Sequence, residues 1–166
     1  AVAAGEISPA QAEAELSGYV TGDSGRFDAA RETRRGVPEA VYAESKTERE
    51  VADLAATAVE TTGRALVTRC GDGQASAVRQ RLAEAHPAAT VTYHERSGVL
   101  VAHADSFDRP AVDATVAVVT AGTVDARAAG EAAVVAREIG ATVTRIDDVG
   151  VANLTRVTDR LDALRA

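Results

Sequence analysis

Residues Ala114 to Asp125 read ATVAVVTAGTVD, and this stretch decides the fold class. Its first half, Ala114 to Val119, is an unbroken apolar run rich in β-branched residues. That is the composition of a parallel strand covered on both faces. Its second half, Thr120 to Asp125, is a short glycine-bearing turn leading into an alanine-rich segment. Strand, tight turn and helix in that order predict the start of an open α/β sheet, which places its ligands at the carboxyl ends of the strands. The free N–H groups at such a turn favour an anion. Gly122 lets a phosphate approach the backbone closely, Thr120 and Thr123 offer hydroxyls, and Ala121 completes the turn. Asp125 is placed either to accept from a ribose hydroxyl or simply to cap the helix.

Downstream, a helix is predicted from Ala126 to Ile139, ended by Gly140, then a strand from Thr142 to Ile146, a loop from Asp147 to Ala152 and a helix from Asn153 to Ala166. The loop arrives at the same sheet edge as the turn, which adds Asp148 and Gly150 to the candidate nucleotide-binding set. Arg156 joins them as a phosphate partner or stands as a solvated helix arginine. Two parallel strands do not make a stable doubly wound sheet, so the expectation is that more chain or another subunit completes this core.

Upstream, the polar, proline-bearing segment Ala104 to Asp113 reads as a linker, dividing the chain into an N-terminal module (1–103) and a C-terminal part (114–166). In the module, Ser8, Pro9 and Gln11 open a helix to about Ser17, and Gly18 to Gly25 is a turn-rich break. Phe27 to Arg35 forms one or two helical turns before Gly36-Val37-Pro38. Thr47 and Glu50 make a capping box for a helix whose apolar stripe is Val51, Leu54, Ala55, Ala58 and Val59, stopped by Gly63. Arg64 to Arg69 is a strand, Gln74 to Ala85 a helix, and Thr90 to His94 with Gly98 to His103 a hairpin. This is a small α+β module, so the fold class as a whole is α/β.

The formal net charge of -7, from 25 acidic and 18 basic residues, sets the surface against the phosphate backbone of nucleic acid. No apolar run is long enough to span a bilayer, and the first residues do not resemble a signal peptide, so no membrane partner and a cytoplasmic location are expected. Lys46 is the only lysine. It reaches a phosphate or is merely exposed. Arg31, Arg34 and Arg35 share one helical face and either grip a diphosphate or pair with Asp28 and Glu32. Cys70, ahead of Gly71-Asp72-Gly73, reads more readily as a packed apolar group than as a nucleophile. His86, His94 and His103 lack metal-ligand spacing, and no metal site is expected.

Several stretches taken in order resemble one family: FDAARETRRGVPEAVYAESKT, ALVTRC, YHERSGVLV, VAVVTAGTVDARAAGEAA and GATVTRIDDVGVANLTR. They are similar to LarB, the pyridinium-3,5-biscarboxylic acid mononucleotide synthases of nickel-pincer cofactor biosynthesis, whose C-terminal half resembles the PurE aminoimidazole ribonucleotide carboxylases. The resemblance covers Phe27 to Arg156. It implies a PurE-like second domain and carboxylation of nicotinic acid adenine dinucleotide with CO2 or bicarbonate, releasing AMP. By it, Thr120, Gly122, Thr123 and Asp125 hold the phosphoribosyl group, Lys46 keeps a role, the subunits form a homo-oligomer, and no cofactor is tightly bound, with magnesium left open. The family's catalytic cysteine and glutamate lie in Ser-Cys-Ala and Met-Glu-Gly patterns that do not occur here, so no catalytic residue is assigned and the chain is expected to be inactive as it stands. Val124, Gly130, Asn153 and Thr155 depart from the expected Ser, Glu, Gly and His. An aminoimidazole ribonucleotide carboxylase or mutase, and a non-catalytic nucleotide-binding module, are the alternatives.

Overall fold

The computed structural model describes residues 18–22, 24–150 and 155–162. The predicted helix from Ser8 to Ser17 lies outside these, as do Asn153 and the last residues of the predicted final helix. The chain divides into two compact units. One comprises the described residues up to Tyr93 together with Leu100–Phe107; the other comprises His94–Val99 together with the residues from Asp108 onward.

The first unit opens on a hairpin, β1 (Tyr19–Gly22) with β2 (Gly25–Asp28), in the register Val20 to Phe27 and Gly22 to Gly25. This corrects two expectations, the turn-rich break over Gly18 to Gly25 and helical turns from Phe27. Gly25 sits at φ +136°, a conformation that closes the hairpin and that side chains disfavour, and Phe27 is buried in the core. Only Arg31–Arg35 is helical (α1), and it ends at Gly36 in the left-handed region.

Beyond β3 (Ala40–Tyr42), Thr47 caps α2 (Glu48–Thr62) with the reciprocal box the sequence predicts. The Glu50 carboxylate accepts from the Thr47 N–H at 2.7 Å, while the Thr47 hydroxyl accepts from the Glu50 N–H. The helix buries Val51, Leu54, Ala55, Ala58 and Val59 and stops at Gly63, φ +74°. The fully buried β4 (Arg64–Thr68) leads to α3 (Asp72–Ala85), which starts two residues before the predicted Gln74. Gln74 is instead a staple in its first turn. Its Oε1 accepts from the Gly71 N–H, and its Nε2 donates to the carbonyls of Ala43 and Lys46 at 2.8 Å each.

With β5 (Thr90–His94) and β6 (Val99–His103) the strands form a sheet in the order β3-β4-β6-β5, with β3 parallel and β6 antiparallel to β4. Helices α2 and α3 pack on each other and α2 packs on β4. The alanines at 52, 55, 56, 58 and 75 allow the close approach that buries Val78 and Leu82.

In the second unit β7 (Thr115–Val119) pairs in parallel with β8 (Thr142–Ile146), Val119 opposite Ile146, and α4 (Ala126–Glu138) connects them. The elements match the sequence reading, but the burial does not. Val116 and Val119 are 37% and 46% exposed, whereas a strand covered on both faces was expected. Among the described residues β7 has one neighbouring strand and one packed helix, so its other face and outer edge have nothing to bury against. Of the predicted last helix, residues 155–158 and 161–162 are helical. A turn at 159–160 interrupts it after α5 (Thr155–Thr158), where Val157, Thr158 and Asp159 are all weak helix formers.

Candidate functional site

The turn after β7 is a 3-10 turn over Thr123–Asp125 running directly into α4. Its Asp125 carboxylate accepts from the N–H groups of both Ala121 and Gly122, 3.1 Å each. Of the two roles the sequence leaves to Asp125, this is the internal one, because the carboxylate occupies two of the donors that an incoming phosphate would use. Gly122 has nothing within 4 Å of where a Cβ would sit, and Thr123 is exposed beside it. Val124 is 94% exposed and offers no donor.

Thr120 is buried, and its hydroxyl joins the two loops. It donates to Asp147 Oδ1 and accepts from the Asp148 N–H, both at 3.2 Å. The backbone repeats the link through the Val149 N–H and the Thr120 carbonyl, 2.9 Å. Gly150 permits a close approach, but to protein, since a Cβ there would lie 2.5 Å from the Ala121 carbonyl oxygen. Asp148 has φ 62°, and its carboxylate takes an ion pair from Arg156 at 3.0 Å. The structure therefore brings together Thr120, Ala121, Gly122, Thr123, Asp125, Asp148, Gly150 and Arg156, with Thr120 and Gly150 holding the loops and Gly122 and Thr123 left open.

Of two adjoining hollows of the second unit, the smaller borders this turn. The smaller, about 230 Å³, is lined by Arg96, Thr120, Gly122, Thr123, Ala126, Arg145, Asp147 and Asp148. The larger, about 500 Å³, shares Arg96, Ala126, Arg145 and Asp147 and extends along α4 past Gly130 and Ala133 to Arg137, with His94 on its rim. Arg145 donates a short hydrogen bond to Asp147, which, with the Thr120 hydroxyl, holds that carboxyl below the usual aspartate range. Arg96, Arg137 and Arg145 are site residues outside the set expected from sequence. Arg145 had a readable signal, being the penultimate residue of a strand at its carboxyl end. Arg96, from a hairpin turn far upstream, had none.

The auxiliary candidates lie in the first unit. Arg31 pairs with Glu39 at 3.2 Å and Arg34 with Asp28, while Glu32 turns to the buried Arg64, so of the two expected carboxylates Asp28 pairs with the cluster. Arg35 is exposed, and Lys46 is half-buried just ahead of the Thr47 cap. Cys70 is 2% exposed, and burial pushes its thiol up to about 11, the opposite of an activated nucleophile. Among the described residues no three of His, Cys, Asp and Glu converge as metal ligands would. No helix among them is long and apolar enough to cross a membrane.

Residues 19–104, just over half of the chain, match the model of the LarB/PurE-like N-terminal domain. The chain belongs to that family. No curated protein matches it significantly. The match takes in the β1–β2 hairpin, Lys46, the Thr47 cap, Cys70 and the four-stranded sheet, so the first unit of this LarB/PurE-like chain carries the family signature, and the family is related to carboxylases. Its boundary at residue 104 falls before β7, leaving the turn at Thr120–Asp125 outside the matched stretch.

Proposed function

We propose that this chain is the nucleotide-holding part of a LarB-like carboxylase, binding nicotinic acid adenine dinucleotide for reaction with CO2 or bicarbonate. The single observation that carries the reading is the smaller hollow, where the open Gly122–Thr123 edge of the turn faces Arg96 and Arg145. A phosphate seated there meets a backbone that allows close approach, a free hydroxyl and planar guanidinium donors suited to phosphate oxygens. Thr120, Asp147 and Gly150 act by positioning, since they fix the loop that forms the opposite wall.

The chemistry is not assigned to these residues. The only cysteine is buried and protonated, and the Ser-Cys-Ala and Met-Glu-Gly patterns of the resembling enzymes do not occur in the sequence. A second reading, a nucleotide-binding module without turnover, is favoured by Asp125, whose carboxylate already fills two donors of the turn. Titrating nicotinic acid adenine dinucleotide into the chain, followed by the amide resonance of Gly122, tests the binding; a Gly122 signal unmoved at millimolar ligand rejects it. Adding bicarbonate and assaying for AMP tests the rest, because AMP formed by these residues alone would place the catalytic groups within them.

A further inference from the structure

The larger hollow has features that the turn site does not explain. The face of α4 that lines it carries Ala126, Gly130, Ala133 and Val134, small residues whose lack of bulk makes the concavity, and then Arg137 one turn on. The facing turn, Glu95–Ser97, supplies Arg96, and β8 supplies Arg145 from the edge shared with the smaller hollow. Three guanidinium groups thus border one cavity in a protein of net charge -7. Arg145, tied to Asp147 through Nη2, keeps its side chain 28% exposed and brings its charge to both hollows. Arg96 acts on the Asp147 carboxylate through space, and Arg137 is exposed at the far end of the hollow. At about 500 Å³ the space suits a group of nucleotide size.

We propose that the larger hollow is a second anion subsite, in which Arg96, Arg137 and Arg145 hold the second phosphate of a diphosphate-bridged ligand whose first phosphate sits at the turn. Arg96 and Arg145 stand between the two hollows and serve both phosphates. The proposal rests on reading the turn as the first phosphate site, and the test lets either fail alone. Inorganic pyrophosphate is titrated into the 15N-labelled chain, with the Gly122 amide reporting the smaller hollow and the Gly130 amide and the Arg137 Nε–H the larger.

Saturable shifts at both glycines are expected. Arg137→Gln, an exposed position whose change leaves the core intact, should weaken the Gly130 response about tenfold, the worth of one charge-assisted pair. Arg137→Lys, which keeps the charge but not the fork, should fall between. Shifts at Gly122 alone, or a Gly130 response indifferent to Arg137→Gln, overturn the second subsite and leave the turn reading standing. Shifts at Gly130 alone, lost in Arg137→Gln, uphold the subsite and reject the turn; silence at both overturns both.

Discussion

Cys70 shows how far its surroundings decide what a side chain can do. Its place ahead of a helix start is where a thiolate would be stabilised, but the sulfur is packed in the core, and desolvation, with Asp72 nearby, raises its pKa to about 11. At pH 8 the thiolate fraction is then on the order of one part in a thousand. The native protein should therefore resist iodoacetamide and react only on unfolding, which mass spectrometry across a urea series would show. Labelling of the native form at the rate of a free thiol would contradict this. Gly63 is a second position where local geometry dictates the residue. It ends α2 in the left-handed region, and a Cβ would come 3.1 Å from the Phe107 ring. Gly63→Ala should cost about 1–2 kcal/mol in chemical denaturation, from backbone strain before any adjustment of the ring.

Among the elements, those with strong local signals were legible in the sequence and those depending on distant partners were not. The Thr47–Glu50 box and the stripe to Val59 predict α2 because capping and 3.6-residue periodicity are local. Strands β7 and β8 follow from their β-branched runs. The β1–β2 hairpin escaped because its two glycines and short strands look like a loop until Phe27 is seen in the core. The site divides in the same way. The turn and the loop at 147–150 were readable from their place after strands, whereas the bond between them runs through Thr120, whose buried hydroxyl no spacing rule reveals.

That bond gives a pH prediction. The folded-state pKa of Asp147 is lowered, first by Arg145 and also by Thr120, so the clip is fully present above the usual aspartate range and is lost as pH falls through the lower folded value. Amide exchange at Asp148 and Val149 should be slow relative to intrinsic rates at neutral pH, keep its protection through the usual aspartate range and lose it only at more acidic pH. Asp147→Asn should show weak protection throughout. Equal protection in the two proteins would mean that the carboxylate does not hold the loop.

For the molecule as a whole, the two units differ in how well they bury their sheets. Every residue of β4 is buried, with α2 packed against it, while β7 leaves Val116 and Val119 exposed. Opening free energies follow local burial, so amides of β4 should exchange only through global unfolding, and those of β7 and β8 orders of magnitude faster. Uniform protection across both sheets would contradict the unequal burial. The family signature lies over the well-buried unit, and the proposed ligand contacts lie on the less buried one.

Gly130 lies where α4 faces the Glu95–Ser97 turn. A Cβ at this position would lie 2.7 Å from the Ser97 Cβ, closer than side chains come to one another. The missing methyl group therefore works as a spacer of zero thickness. Any other residue would push the Glu95–Ser97 turn away from the helix and carry Arg96 away from Arg137, so the size of anion that two arginines can grasp together is set by a residue with no side chain to do the grasping.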